Sequence, residues 1–258
     1  MKTKRNFYSA ITLIVFAVLF IASASQKKLV SVKVVPDFAF TPPTTVPIGS
    51  TGIKIAMFDP AFSGSFSYSN KSLFKTFRES LGKDIQSIIS AKGNILKGPF
   101  EAYDFMTYSD KNECDLGLFV EIDMHLTETS GKWDQIAPVY YGYGVTTAGS
   151  AKYTGTINIS GKINLYIAET FTKQKLIIKS LPIPQSDMSV TTEEAYPFGT
   201  TGLIPVDDVG LFNPLSKGLS DFYKDAMKRA WDMLDKEELA HAEAQCAQIR
   251  KDAGFVKK

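Results

Sequence analysis

Side chains that do chemistry are scarce in this chain of 258 residues, with only two Cys and two His among them. That is too few for a Cys/His zinc cluster, and no Cys-x-x-Cys spacing offers a redox pair. No P-loop, dinucleotide fingerprint or His-Glu-x-x-His occurs, and Gly142-Tyr143-Gly144 lacks the strand–turn–helix setting of a phosphate loop. Nothing here implies a cofactor or a resident metal. Charge is also modest: charged residues make up 22% of the chain, with 29 Lys and Arg against 27 Asp and Glu. Nucleic-acid binding draws on an excess of Lys and Arg to neutralise phosphates, so this balance excludes that partner. Hydrophobic residues, by contrast, reach 44%, with 18 Phe and 11 Tyr supplying bulky apolar surface. That is the composition of a folded globule, far from the regime of disorder.

The one long apolar run stands at the amino terminus. Lys2, Lys4 and Arg5 precede an uncharged stretch from Asn6 to Gln26, apolar from Ile11 to Ile21 and followed by the small residues Ala22-Ser23-Ala24. A basic start, a short apolar centre and an A-x-A exit define a secretory signal peptide over residues 1–24. The alternative is an uncleaved anchor, for which the strongly apolar part falls short of the ~20 residues that cross a bilayer. Membrane contact is expected only through this segment, and only where it is retained. The segment also carries the chain's basicity: removing its three positive charges takes the formal +2 to −1. The expected destination is periplasmic, outer-envelope associated or secreted. An oxidising compartment would allow one disulfide between Cys114 and Cys246, although no local framework dictates that pairing.

Residues 25–258 read as a single α+β domain. Leu29 to Pro36 is β-branched and reads as a strand; the Pro-rich Phe40–Ser50 is a connector, and Ile53–Phe58 is a second strand. Phe74, Phe77, Leu81, Ile85 and Ile88 recur at helical spacing and make one apolar stripe. Leu118, Val120, Ile122, Met124 and Leu126 alternate with Phe119, Glu121, Asp123 and His125, and the same period-two pattern runs from Thr156 to Ala168. Strict alternation means one buried and one wet face, the habit of an antiparallel sheet. Lys175–Leu181 returns as a hairpin partner ended by Pro182 and Pro184, and Ser186–Pro214 reads as a long irregular segment. A long C-terminal helix is expected over residues 215–252, its apolar stripe thinning beyond Asp235 so that this half projects or docks on a partner. The architecture implied is a mainly antiparallel sheet with helices packed on one face.

No catalytic constellation emerges, and the chain does not read as an enzyme. Glu121, Asp123 and His125 project from one strand face, but neighbours at i and i+2 stand about 7 Å apart, so they cannot converge on one atom unaided. His241 falls on the polar end of the final helix. The stretch from Thr129 to Tyr153 is more suggestive: it reads as a loop in which Trp133, Tyr140, Tyr141 and Tyr143 stand among glycines. Such rings offer flat amphipathic contact surface to a sugar face or a protein. These four are the candidate ligand-binding residues.

Ile53-Lys54-Ile55-Ala56-Met57-Phe58-Asp59-Pro60-Ala61-Phe62 leads into the amphipathic helix and resembles the neuraminyllactose-binding haemagglutinin family, surface lipoproteins regarded as adhesins. Pro60-Ala61-Phe62 is the most specific match, and the strand Gly117–Leu126, the hairpin Lys162–Ile178 and the final helix follow in the same order. The chain lacks the lipobox Cys of that family, so a lipid anchor is not carried over. In place of its short Lys/Arg glycan motif stands Thr127–Trp133, with Lys132 alone. The resemblance implies an adhesin-like, non-enzymatic binding protein with a glycan or protein partner at the cell envelope. The alternative is a structural accessory subunit of an envelope assembly, docking through its C-terminal helix.

Overall fold

Apolar alternation builds the centre of the sheet, and backbone pairing carries it well beyond the apolar residues. The computed structural model describes residues 32–64, 66–141, 145–192 and 195–255, so the expected signal peptide over residues 1–24 lies outside the described residues. The strands are β1 (Lys54–Phe58), β2 (Ala61–Phe62), β3 (Ile95–Phe100), β4 (Leu116–Ile136), β5 (Val139–Tyr141), β6 (Val145–Thr147), β7 (Ser150–Ala168), β8 (Lys175–Thr191) and β9 (Tyr196–Pro197). The helices are α1 (Ser72–Ala91), α2 (Tyr108–Glu113), α3 (Val209–Met233) and α4 (Lys236–Asp252), with a 3-10 turn at Tyr103–Phe105. From Lys33 onward the chain forms one compact unit.

The seven-stranded sheet runs β3-β1-β4-β7-β8, with β2 alongside β4 and β9 alongside β7. The long β4–β7 and β7–β8 pairs are antiparallel, as expected, whereas β3, β1 and β2 join in parallel through short registers. The parallel edge arises because α1 serves as the crossover between β1 and β3. Ile55, Met57, Leu118, Val120, Ile163 and Leu165 point into the main core, where they meet buried residues of α1, α3 and α4.

The other face is not bare. Ala56 and Phe58 alternate with the core residues of β1 and form a second cluster with Met106 and Cys114. Lys97, in register with Ala56, reaches Asp110 and Glu113 of α2 at 2.7 Å each. Thus the short α2 lies over this second face, and the expectation of helices on one face alone needs correction. A fresh aromatic cluster at one end, centred on Phe58, gives α2 and the 3-10 turn something to cover.

Four further expectations change. Described residues of the first expected strand, 32–36, join no sheet: the Val34 N–H donates to Asn213 Oδ1 and the Asp37 N–H to Ser220 Oγ, both on α3. The aromatic stretch 129–153 is largely strand, as β4 and β7 stay paired to Ile136↔Ser150. Residues 127–136 are mostly exposed on both faces, so there is no apolar alternation there to reveal a strand. In the same way β8 runs on past Pro182 and Pro184 to Thr191. Proline is tolerated because β8 is an edge strand, and the register slips at Pro184. Finally, the C-terminal helix is two helices. α3 starts at Val209 with Pro214 inside it, and α4 restarts after Leu234, where the Asp235 carboxylate accepts from the Lys236 N–H. Leu239, Ala242 and Cys246 of α4 are buried in the main core, so this half docks on its own chain.

Gly161 of β7 pairs with Met124 of β4, with φ of 143°, and a Cβ there would meet the Asp123 carbonyl. Both the conformation and the close approach demand glycine. Gly161→Ala is expected to lower stability by ~1–3 kcal/mol, read as a shifted urea midpoint.

Candidate functional site

The residues chosen from the sequence do not converge. Trp133 is spent on structure: its indole N–H donates to the Gly202 carbonyl at 2.7 Å, and its ring packs edge-on against Tyr153 and Tyr196. Gln135 adds bonds to Thr200 and Gly199, so residues 196–202 are strapped to the ribbon rather than left as a free loop. Tyr140 is 75% exposed on the β5–β6 hairpin, Tyr141 is the last residue of β5, and Tyr143 lies outside the described residues. Cys114 and Cys246 are both free, in the smaller and the main cluster respectively. Burial pushes their thiols up, to about 11 and about 12, which leaves them unreactive. Asp123 and His125 pair with each other at 3.2 Å, and Glu121 turns to a different partner.

That partner belongs to a cleft on the second face of the sheet, with a volume of about 440 Å³. It is floored by the ends of β1, β4 and β7 and walled by the 3-10 turn and the β7–β8 turn. Phe58 of β1 and Phe119 of β4 stack nearly parallel, centroids 4.1 Å apart, and Tyr103 leans on Phe58 at 6.2 Å. Tyr166 of β7, directly across from Phe119, donates its hydroxyl to Glu121 Oε2 at 2.5 Å. Desolvation first, then the bond to Glu121 and its charge, push the Tyr166 phenol up to about 12, so it remains a donor.

Lysines stand over these rings. Lys173 Nζ lies 3.7 Å and Lys111 Nζ 4.0 Å from the centre of Tyr103, and Lys175 Nζ lies 3.8 Å from that of Tyr166. Each is a cation–π contact. Asp59, Glu101 and Glu121 supply negative charge to the same cleft. The result is an aromatic floor with cationic and anionic groups at its rim, a pocket of small-ligand size with few polar anchors.

The β7–β8 turn is held from beneath. The Arg250 Nε–H donates to Glu169 Oε1 at 2.7 Å, and its Nη2 donates to the Cys114 carbonyl at 2.7 Å and to Thr170 Oγ1 at 2.5 Å. Glu169 Oε2 accepts the N–H groups of Phe171 and Thr172, and the Tyr103 hydroxyl donates to the Thr170 carbonyl. Thus α4, α2, the 3-10 turn and the β7–β8 turn meet in one buried polar network behind the cleft. Within that turn Lys173 has φ of 58°, the one non-glycine residue in the left-handed region among the described residues. Backbone strain of this kind gathers at ligand-binding positions.

The sequence reading overlooked this cleft, yet a signal was present. Phe119 and Tyr166 are large rings at wet-face positions of two strands, where a simple solvated face would carry small or charged residues.

The fold defines an α+β class, a mostly antiparallel seven-stranded sheet with long helices against its core face. Comparison of structures gives that class a specific likeness. The chain matches the crystal structure of a putative neuraminyllactose-binding hemagglutinin homolog from Helicobacter pylori with a TM-score of 0.56 and 13% identity, covering 83% of this chain and 100% of that one. Two further structures align at lower TM-scores and carry no argument. One is the PelC dodecamer from Paraburkholderia phytofirmans (0.25, 12% identity, 70% of this chain and 94% of that one). The other is protein XCC0632 from Xanthomonas campestris (0.26, 8% identity, 87% and 96%). No protein-family model and no curated protein sequence matches the chain. At this identity the hemagglutinin homolog establishes a shared fold.

Proposed function

We propose that this chain is an exported, non-enzymatic binding protein of adhesin-like character. It holds a glycan or protein partner at the cell envelope, through the aromatic cleft rather than the β5–β6 tip. The signal-like residues 1–24 support export, and the fold shared with a hemagglutinin homolog supports a binding role. The carrying observation is Lys173: a lysine stands in a left-handed turn position that glycine fills at lower cost, with its ammonium over the Tyr103 ring at the cleft mouth. A residue that strains its own backbone while aiming charge into a pocket fits selection for a ligand. The accessory-subunit reading loses its main support, because the apolar stripe of α4 is spent inside the fold.

Affinity capture from native envelope, with a parallel glycan screen, tests this reading. Lys173→Gly is expected to leave stability unchanged or raise it by up to ~1 kcal/mol while reducing partner retention. Equal retention by wild type, Lys173→Gly and Tyr166→Ala would place binding elsewhere.

A further inference from the structure

We infer that the cleft accommodates a small zwitterion with an apolar body, the chemistry of a short apolar peptide with free termini. The inference rests on the cleft being the binding site and adds what it selects.

The two lysines that line the cleft, Lys173 and Lys175, are placed over tyrosine faces rather than buried against carboxylates. Among the described residues Lys175 forms no ion pair, and the ion pair of Lys173, with the 94% exposed Asp104, spans 4.0 Å. Asp59 and Glu101 line the same cleft, and among the described residues neither forms an ion pair. Opposite charges that share a small cavity without neutralising one another leave both signs to an incoming molecule. A ligand of one sign would meet repulsion from one of the two sets, whereas a zwitterion satisfies both.

The floor decides what lies between the charges. Phe58 and Phe119 are stacked on each other, so the faces between them are covered and they form no cage around a cation. With the rings of Tyr103 and Tyr166 beside them, that floor rewards aliphatic or aromatic side-chain burial and offers few hydrogen bonds. Glu121 is the exception, and one of its oxygens is already held by Tyr166. A polyhydroxylated sugar would find partners at the charged rim but leave the hydroxyls that face the aromatic floor unmatched. A cavity of about 440 Å³ is on the scale of a di- or tripeptide rather than a long chain.

Titration calorimetry on the purified protein tests the inference, with Leu-Phe as the probe. Its N-acetylated, C-amidated form and lactose serve as comparison ligands. Leu-Phe is expected to bind, the capped form about tenfold or more weakly, and lactose not measurably. Lys175→Gln should weaken Leu-Phe by a similar factor and leave the capped peptide unaffected. Equal affinity for free and capped peptide overturns the zwitterion assignment while the cleft remains a binding site. Binding of lactose in place of peptide, abolished by Tyr166→Ala, overturns the inference and leaves the proposed function standing. If no probe binds and Tyr166→Ala leaves envelope capture unchanged, both are overturned.

Discussion

Replacing Arg250 by Met is expected to lower stability by ~3–5 kcal/mol, because the substitution leaves the Glu169 carboxylate buried without its counter-ion. The Arg250 and Glu169 side chains are 6% and 0% exposed, so water cannot take over the lost partner. The Thr170 hydroxyl and the Cys114 carbonyl each lose a short bond as well. For a domain of this size the loss corresponds to a fall in Tm of roughly 10 °C, measurable by calorimetry. A second substitution separates charge from packing. Arg250→Met with Glu169→Gln should recover part of the loss, since the neutral amide removes the stranded charge and keeps an oxygen to accept the Phe171 and Thr172 N–H groups. Equal instability of single and double variants would show that the ion pair is not the source.

The pH dependence has a defined sign. Burial alone would raise the Glu169 carboxyl, but the Arg250 hydrogen bond, the Thr172 N–H and the Arg250 charge outweigh it and hold the group below its ordinary 4.5. A depressed carboxylate contributes its stability in full above that ordinary value and loses it as the pH falls through the folded value. The gap between wild type and Arg250→Met should therefore be widest above pH 4.5 and narrow in acid. The same variant should loosen the β7–β8 turn and with it Lys173, so ligand retention falls even at temperatures where the variant is folded.

How far the sequence reveals all this depends on which physical signal each part leaves. The strands through Leu118–Leu126 and Ile157–Ile167 and the helix through Phe74–Ile88 have one buried face each, and a buried face writes a period into the sequence. The ribbon beyond Thr127 has no such face and is held by backbone pairs, which any polar residue supplies, so it reads as loop. Pro182, Pro184 and Pro214 read as stops because the rules for proline assume a central strand or an uninterrupted helix. Here they meet an edge strand and the early turns of α3. The candidate site was hidden for a different reason. Its members come from four places in the chain, Phe58, Tyr103, Phe119 with Glu121, and Tyr166 through Lys175, brought together by parallel pairing of β1 with β4 that period alone does not specify. Trp133 and the tyrosines near it drew notice by composition, whereas the ring of Trp133 is consumed in packing the ribbon.

Phe77→Ala should be comparably damaging, at ~3–5 kcal/mol, through a mechanism independent of charge. Phe77 is fully buried on α1. Its ring meets Phe38 edge-on at 5.3 Å and Tyr223 edge-on at 5.7 Å, and it stacks with Phe222 at 6.4 Å. Truncation removes the common neighbour of three rings, Phe38 from the extended stretch and Phe222 and Tyr223 from α3, and a close-packed interior refills such a space only in part. Tyr223 is also fixed at its far end, where its hydroxyl donates to the buried Asp84 carboxylate at 2.7 Å, so it cannot swing in to fill the gap. A double-mutant cycle with Phe38→Ala carries the point further. Phe38 belongs to the extended stretch that docks on α3 through side-chain acceptors rather than sheet pairing. If that stretch is a true part of the core, the cycle should return a coupling of ~0.5–1.5 kcal/mol between the two rings, beyond the area each buries. Additive losses would instead mean that residues 33–40 contribute little when α1 is intact, and that the core closes without the segment leading out of the amino terminus.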